Sequence, residues 1–284
     1  MFRQLTIIGV GLIGGSLARA LRQVNACEKI VGYGRDQAHL QQALDLGVID
    51  RYELDIAKAV AGADLVVLAV PLSAMGAVFT AIRPHLAADA IITDVGSAKV
   101  AVIEAARNGL GERVDTFVPG HPIAGTEQSG VAASFAGLFE DRRVILTPLP
   151  DNSVDVVERV RKLWTICGAE VVDMEAAHHD QVLAATSHLP HLLAYALVDT
   201  LLRLDDSEEI FSYAAGGFRD FSRIASSDPV MWRDICLANR DAILTLLEQF
   251  SQHIDELGQA VRAGDGEQLM TMFARAKAAR DRIK

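Results

Sequence analysis

The chain has 284 residues, half of them hydrophobic, and a formal net charge of −10. That length suits two domains, and the hydrophobic content is ample for a core, which excludes a disordered protein. Nucleic acids and anionic membranes both carry phosphate charge, so neither is an expected partner of so acidic a chain. The three cysteines have the spacing of neither a zinc site nor a disulfide framework. We therefore expect free thiols in a reducing compartment, the cytoplasm, and no metal.

The first half of the chain alternates between short apolar runs and helix-like segments. Strands are predicted at 5–10, 29–33, 64–70, 90–95, 116–118, 144–147 and 170–172, and helices at 13–24, 36–46, 74–83, 99–108 and 153–167. Such alternation predicts a parallel sheet with right-handed crossovers. The apolar stretches are broken by glycine or proline and are too short to span a bilayer, so we expect neither a signal peptide nor a membrane helix.

After about residue 173 only helices are predicted, at 176–204, at 229–262 and from 266 to the C-terminus. The second of these has apolar residues spaced three and four apart from Ile235 to Val261, which form one stripe. A helix of roughly thirty residues is far longer than usual and cannot bury that stripe against a small domain. A homodimer is therefore favoured, with an intramolecular three-helix bundle as the alternative.

A glycine-rich loop joins the first strand to the first helix. Gly9, Gly11 and Gly14 form the sequence GVGLIG, in which the first glycine permits a tight turn, the second lets the backbone approach a pyrophosphate and the third lets helix and strand pack closely. The free amides at the helix N-terminus suit phosphates. Because strand, loop, helix and second strand come in the right order, we predict an α/β protein whose Rossmann-type doubly wound domain binds a nicotinamide dinucleotide and serves a dehydrogenase. The expected cofactor contacts are Gly9, Gly11, Leu12, Ile13, Gly14, Gly34, Arg35, Val70, Pro71 and Gly96.

The end of the second strand bears on the choice between NAD and NADP. An enzyme that binds NAD usually places an acidic residue there for the ribose hydroxyls. Here that place holds Gly34, followed by Arg35, which together make room for a phosphate and attract it. NADP is therefore favoured. NAD stays open, because Asp36 would reach the ribose if the register differed by two residues.

Polar residues that could carry chemistry follow the later strands. Ser97 comes after the strand at 90–95 and is either a functional hydroxyl or only the N-cap of the next helix. His121 lies in a predicted loop between a glycine and a proline, where an imidazole beside a hydride carrier is well suited to accept a hydroxyl proton. Arg219 and Arg223 are one helical turn apart. Either is a carboxylate anchor, or both are ordinary solvent-exposed arginines.

One face of the helix at 176–204 also carries polar residues. Asp180, Ser187 and His191 are seven and then four residues apart, so they share that face. Pro190 predicts a kink beside them. The face is either functional or a polar stripe turned to solvent.

Five segments together resemble the prephenate and arogenate dehydrogenase family of tyrosine biosynthesis. They are GVGLIGGS, DVGSAK, GHPIAGTEQSG, SHLPHLLAYAL and GFRDFSRIASSDPVMWRDI, spread from residue 9 to residue 235. With this resemblance we expect a dinucleotide-binding domain at 1–172 and an all-α substrate-binding and dimerisation domain at 173–284. It implies oxidative decarboxylation of prephenate to 4-hydroxyphenylpyruvate, with hydride transfer to NAD(P). Because aromatisation drives the loss of carbon dioxide, such an enzyme mainly needs a base, a positioned acceptor and an anion-binding group.

The resemblance also implies roles for individual residues. His121 takes the hydroxyl proton, and Ser97 hydrogen-bonds the same hydroxyl. Arg223 binds a substrate carboxylate, His191 contacts the side-chain end of the substrate, and Trp232 lines the pocket from the same or the neighbouring subunit. The implied substrate contacts are His191, Arg223, Trp232, His188, Asp180 and Thr126, and the implied ionic contacts around the pocket are Glu127, Asp180 and Asp220.

The two substrates of the family differ in one group, a keto oxygen in prephenate and an ammonium in arogenate. An ammonium favours a nearby carboxylate, whereas a ketone favours a histidine, so His191 predicts prephenate even though Asp180 lies on the same face. The alternatives are an arogenate or dual-specificity dehydrogenase and a non-catalytic dinucleotide sensor. We expect no fused chorismate mutase or ACT domain after Lys284.

Overall fold

Alternating strands and helices form the first part of the chain in the computed structural model, which describes residues 2–283. In chain order they are β1 (Phe2–Ile8), α1 (Leu12–Gln23), β2 (Cys27–Tyr33), α2 (Gln37–Asp45), β3 (Arg51–Glu53), α3 (Ile56–Val60), β4 (Leu65–Leu68), α4 (Leu72–Ile82), β5 (Ile91–Asp94), α5 (Lys99–Leu110) and β6 (Phe117–Val118). The six strands are all parallel, in the order β3-β2-β1-β4-β5-β6. The predicted doubly wound sheet is confirmed, and its order reverses between β1 and β4, where such sheets bind ligands.

Helices cover both faces of this sheet, which explains why its central strands read as unbroken apolar runs. On one face Leu17 of α1 and Leu40 of α2 belong to a continuous buried cluster. On the other face Phe79 of α4 and Leu110 of α5 pack with Phe117, whose ring meets that of Phe79 edge to face at 5.0 Å. The carboxyl ends of β1, β4 and β5 are therefore held rigidly.

A second, smaller sheet corrects the prediction of one parallel sheet. It contains β7 (Gly120–Pro122), β8 (Arg143–Leu146) and, after the helix α6 (Val154–Thr165), β9 (Glu170–Asp173). β7 pairs antiparallel with β8, and β8 pairs parallel with β9. His121 thus lies in a strand and not in the predicted loop.

Only helices follow among residues 174–283. They are α7 (Ala176–Leu183), α8 (Leu189–Leu202), α9 (Ser207–Ser212), α10 (Gly216–Ser222), α11 (Pro229–Ala238), α12 (Arg240–Ala263) and α13 (Gly266–Arg280). A π-helical turn, Ala184–His188, joins α7 to α8 directly before Pro190. Proline lacks the amide that a regular α-helix would use at this point, and a π turn is a common way to accommodate it.

The predicted helix at 229–262 is wrong in one respect, because it is two helices that separate at Asn239. The Asn239 side chain donates to the carbonyl oxygen of Asp180 at 2.7 Å and lies 3.0 Å from Nδ1 of His188. Such tertiary hydrogen bonds stabilise the break, which the apolar periodicity alone does not reveal.

Contacts divide the chain into two compact units, one ending at Asn239 and the other beginning at Arg240. The domain boundary at residue 172 stays a prediction. In the second unit, α12 and α13 leave the apolar side chains of Ile254, Val261, Met270 and Phe273 exposed. None of the helices within residues 2–283 combines the length and the hydropathy needed to cross a membrane.

Candidate active site

The loop from β1 to α1 has the shape that a dinucleotide needs. Gly9 has a φ of +95°, and a Cβ atom there would lie 2.3 Å from the carbonyl oxygen of Ala69. A Cβ at Gly14 would lie 2.4 Å from the carbonyl oxygen of Gly9, whereas one at Gly11 would meet nothing within 4 Å. The N-terminus of α1 has no side-chain cap. Its first amides, which include those of Leu12 and Ile13, are thus open to a phosphate.

The residues after β2 separate the two readings of the cofactor site. Arg35 is exposed and forms no hydrogen bond or ion pair through its side chain within residues 2–283. Asp36 is the N-cap of α2, and its Oδ1 accepts from the amides of Ala38 and His39 at 2.9 and 3.2 Å. One oxygen of the carboxylate that could bind a ribose therefore caps the helix.

His39 connects the same helix to the glycine loop. Its Nε2 atom lies 2.8 Å from the carbonyl oxygen of Val10. Because a carbonyl only accepts, the ring donates this hydrogen bond. It fixes the backbone between Gly9 and Gly11, and the sequence offers no pattern that would predict it.

The turns after β4 and β5 lie beside the loop. Val70 and Pro71 lead into α4, and Gly96 follows β5. A Cβ at Gly96 would lie 2.8 Å from Leu72 and 2.9 Å from Asp94. The turn after β5 therefore packs closely against the start of α4, and a larger residue would force these side chains to move.

The interpretation of Ser97 as a helix N-cap is wrong. Ala98 is the N-cap of α5, and it has no side chain that could cap. The free amides of Lys99 and Val100 are bound instead by Asp180, at 2.7 and 3.0 Å. Ser97 is half-buried, and its hydroxyl makes no hydrogen bond within the described part of the chain, so it is free to serve a ligand.

His121 belongs to a line of three hydrogen-bonded side chains. Its Nδ1 atom is 2.8 Å from Nε2 of His179, and Nδ1 of His179 is 2.8 Å from Oδ1 of Asp180. All three residues are buried. We call them the His–His–Asp line; it joins β7 to α7 across 58 residues of sequence.

The carboxylate end of this line determines where its protons lie. Asp180 only accepts, so His179 donates from Nδ1 and accepts at Nε2, and His121 donates from Nδ1. Nε2 of His121 then carries a lone pair, and it has no hydrogen-bond partner among residues 2–283. Burial first, and then the neighbouring His179, Lys99 and His188, hold the pKa of His121 well below 6.5. The ring is therefore a neutral proton acceptor at pH 7.

Asp180, which was predicted to contact the substrate, accepts several hydrogen bonds within the protein. Its two oxygens accept from the His179 ring and from the amides of Lys99 and Val100. Burial alone would raise the pKa of Asp180, but these hydrogen bonds outweigh it and hold the pKa below its usual value. Through these hydrogen bonds Asp180 orients His179 and the start of α5, and its contact with the substrate stays a prediction.

His188 is also more deeply placed than predicted for a substrate contact. It is 1% exposed, and its Nδ1 lies 3.0 Å from the Asn239 amide. Burial lowers its pKa to about 4. The neutral His188 ring lies between the Asn239 side chain and the Ser97 backbone. It therefore packs beneath the turn that carries Ser97.

His191 and Trp232 form a stacked pair within one chain. Their ring centroids are 3.7 Å apart and their planes differ by 21°. Nδ1 of His191 lies 2.8 Å from the carbonyl oxygen of Ser187, to which it donates. Burial lowers the pKa of His191, so Nε2 is an acceptor at neutral pH. The buried indole Nε1 of Trp232 has no hydrogen-bond partner within residues 2–283.

Arg223 is exposed and forms an ion pair with Glu127. Glu127 belongs to the loop after β7, in which Thr126 Oγ1 accepts from the amide of Gln128 at 3.2 Å. Arg219 and Asp220 are exposed on α10. The loop that follows His121 and the segment that carries Arg223 therefore meet through this ion pair. No cluster of three or more histidine, cysteine or acidic side chains suited to a metal ion occurs in the described chain.

Comparison with known proteins gives the family. Residues 17–173 match the family described as prephenate dehydrogenase, nucleotide-binding domain, and residues 175–275 match prephenate dehydrogenase, dimerization domain. The cyclohexadienyl dehydrogenase of Zymomonas mobilis is 40% identical over 286 residues, which cover 100% of this chain and 97% of that relative. The chain belongs to the prephenate dehydrogenase family.

Solved structures of this family superpose over the whole chain. The crystal structure of prephenate dehydrogenase from A. aeolicus, in complex with hydroxyphenyl propionate and NAD+, has a TM-score of 0.92 and 37% identity and covers 100% of this chain and 99% of that one. The arogenate dehydrogenase of Synechocystis has a TM-score of 0.81 and 27% identity, with 99% and 100% covered.

The family and fold predicted from the sequence are thus confirmed, and with them an NAD(P)-dependent dehydrogenase. The preference for NADP and the roles of single residues stay predictions. The sequence did not point to His179, Lys99 or Asn239, which the fold brings to His121, Asp180 and His188.

Proposed function

We propose that this chain oxidises and decarboxylates prephenate to 4-hydroxyphenylpyruvate, in tyrosine biosynthesis, with hydride transfer to NAD(P). The observation that carries the proposal is the environment of His121. One ring nitrogen is fixed as a donor, and the other is left as an acceptor, in a residue that directly follows Gly120, whose amide binds Asp94 at the end of β5. The three free cysteines fit the cytoplasm as the location.

The cofactor site is the glycine loop together with the strand ends beside it. Gly11 leaves space for a pyrophosphate, and the uncapped amides at the start of α1 would bind its oxygens. Val70, Pro71 and Gly96 would contact the nicotinamide half. A nicotinamide dinucleotide held there would supply the acceptor for a hydride from the ring carbon that bears the hydroxyl group.

His121 performs the proton transfer. The substrate hydroxyl gives its proton to Nε2 as the carbon–hydrogen bond breaks, and a carbonyl forms at that carbon. The ring carboxylate then leaves as carbon dioxide, and its bonding electron pair moves through the ring to the carbonyl oxygen, which gives a phenolate. The phenol forms when this oxygen regains a proton, which His121 can return. The imidazolium formed on His121 donates to His179, and Asp180 stabilises the charge through that ring. Ser97 would hold the hydroxyl in place.

Arg223 binds a substrate carboxylate in this proposal. Its ion pair with Glu127 lies at an exposed position, where exchange for another carboxylate costs little. The stacked His191 and Trp232 would flank the side-chain end of the substrate, with the indole N–H as a donor to its keto oxygen. A carboxylate near the substrate would favour the ammonium of arogenate over prephenate. Because Asp180 is bound by the amides of Lys99 and Val100, it no longer argues against prephenate.

Arogenate is the second candidate substrate, and one observation favours it. Nε2 of neutral His191 is an acceptor, which suits an ammonium better than a ketone. Dual specificity follows if the indole of Trp232 donates a hydrogen bond to the ketone of prephenate and the imidazole of His191 accepts one from the ammonium of arogenate.

NADP is the proposed cofactor. Arg35 is unpaired within residues 2–283 and stands where a 2′-phosphate would lie, while Asp36 caps α2. A Cβ at Gly34 would lie 3.5 Å from Leu40, an ordinary contact, so an acidic side chain fits there.

Substitution of Arg35 and Gly34 tests this preference. We expect Arg35→Ser to raise the Kd for NADP by about 10- to 100-fold, because a charge-assisted hydrogen bond to the phosphate is lost, and to leave that for NAD unchanged. Gly34→Asp should favour NAD. Fluorescence titration measures both constants, with the exposed Arg142→Ser as the control. Equal changes for both cofactors would remove Arg35 from the phosphate site.

One experiment tests the reaction itself. Protein is mixed with prephenate or arogenate and with NADP or NAD, and absorbance of the reduced nicotinamide is followed together with the aromatic product. We expect turnover of prephenate with NADP. If a cofactor binds and neither substrate is turned over, the chain is a dinucleotide sensor and the proposed function is wrong.

A further inference from the structure

The segment DVGSAK contains a fully buried ion pair that the proposed reaction does not use. Nζ of Lys99 lies 2.6 Å from Oδ2 of Asp94, and both side chains are 0% exposed. Burial lowers the pKa of Lys99, and Asp94 opposes that shift. A buried ion pair generally adds no stability over two apolar side chains of the same size. Its presence here therefore calls for a role other than stability.

Both groups hold the residue that precedes His121. The amide of Gly120 donates to Oδ1 of Asp94 at 3.1 Å, and its carbonyl oxygen accepts from Nζ of Lys99 at 2.7 Å. We call Asp94 and Lys99 the Gly120 clamp. Because both polar groups of the Gly120 backbone are bound, the position at which the His121 side chain leaves β7 is fixed.

The backbone of Lys99 is also linked to His121, through the His–His–Asp line. Its backbone amide donates to Oδ1 of Asp180 at 2.7 Å, and the same oxygen lies 2.8 Å from Nδ1 of His179. Lys99 therefore contacts the strand that carries the base through its side chain, and the His–His–Asp line through its backbone. No other residue of the site is bound to both.

The charge of Lys99 acts on His121 as well. The groups that face His121 are Lys99 from α5, His179 from α7 and His188 from the π turn, with Asp180 behind His179. Of these groups, Lys99 is the one that is positively charged while the histidines are neutral. It lowers the pKa of His121, after burial and His179.

We propose that Lys99 is a positioning residue for His121, which fixes the Gly120 peptide so that Nε2 of His121 faces the substrate. The positive charge of Lys99 also disfavours protonation of the ring before substrate binds. The proposal rests on the function proposed above, in which His121 is the base.

Two substitutions separate this role from a structural one. Lys99→Met alone leaves Asp94 buried without a partner and is expected to unfold easily. The double variant Asp94→Asn/Lys99→Met is neutral and similar in volume. We expect its kcat to fall by about 10- to 100-fold with an unchanged Kd for NADP. The acidic limb of its kcat/KM profile should move up by roughly 0.5–1 pH unit. Lys58→Met, an exposed lysine on α3, is the matched control.

A second measurement follows His121 without turnover. In protein labelled at its histidine rings, the His121 signal is identified by its loss in His121→Asn, and its titration midpoint is compared between wild type and double variant. A higher midpoint in the double variant supports the proposal, even if prephenate is not a substrate and the proposed function fails. If prephenate is turned over while neither the limb nor the midpoint moves, Lys99 has only a structural role and the proposal is wrong.

Discussion

The histidines near the site differ in what their second nitrogen can reach. His121 has Nε2 free, whereas His179 uses both nitrogens within the protein. His121 can therefore exchange a proton with a ligand, whereas His179 can only orient the His121 ring. A replacement at each position should therefore change the kinetics in a different way.

We expect His121→Asn to abolish turnover and to leave the Kd for NADP unchanged, because the base is lost but no cofactor contact is. His179→Gln should lower kcat by about 10- to 100-fold, because Nδ1 of His121 loses its oriented acceptor while Nε2 remains. Steady-state kinetics and cofactor titration measure both effects. Normal turnover in His121→Asn would rule out His121 as the base.

At the scale of elements, the glycine loop separates a functional glycine from a structural one. Gly11→Ala meets no atom within 4 Å, whereas Gly14→Ala places a Cβ 2.4 Å from the Gly9 carbonyl oxygen. We expect Gly11→Ala to keep the melting temperature and weaken cofactor binding at least several-fold. Gly14→Ala should unfold at a lower temperature. Calorimetry and titration on both variants check this, and equal melting temperatures would contradict it.

The elements that the sequence predicts well are those whose pattern is local. The strands β1, β4 and β5 are short apolar runs buried on both faces, and α1 follows a glycine pattern with a known cause. The fold class and the cofactor loop follow from these alone.

What the sequence misses depends on distant partners. β7 has three residues, one of them proline, and its pairing is fixed by Gly120, which the Gly120 clamp holds. The break at Asn239 depends on acceptors more than fifty residues away. His179 is adjacent to Asp180 in sequence, yet only the fold shows that it faces His121.

At the scale of the molecule, the exposed apolar side chains of α12 and α13 favour a homodimer, and residues 175–275 match a dimerization domain. We expect a dimer in sedimentation experiments. Phe273→Glu should shift it toward monomer, because a charge would be buried at the interface, while the exposed Gln268→Glu on the same helix should not. A wild-type monomer at micromolar concentration would contradict this.

Stability should fall as the pH drops below about 6.5, the pKa of an unfolded histidine. His121 and His188 have lowered pKa values, His188 to about 4, so in this window the unfolded chain binds protons that the folded chain does not. The free energy of unfolding should decrease by about 1.4 kcal/mol per pH unit for each. Urea unfolding from pH 7 to pH 5 measures the slope. His188→Gln should reduce it, and the exposed His85→Gln should not.

The amides at the start of α5 are capped by Asp180, a residue that lies beyond the last strand of the sheet part. The two domains predicted to meet at residue 172 therefore cannot each be exchanged independently for the same domain of another protein. A chimera that joins this sheet to the helices of a distant relative would keep α5 but lose its cap unless the new helix brings a carboxylate to the same place. Recombination between members of the family is thus restricted by a helix cap, in addition to the contacts that bind ligands.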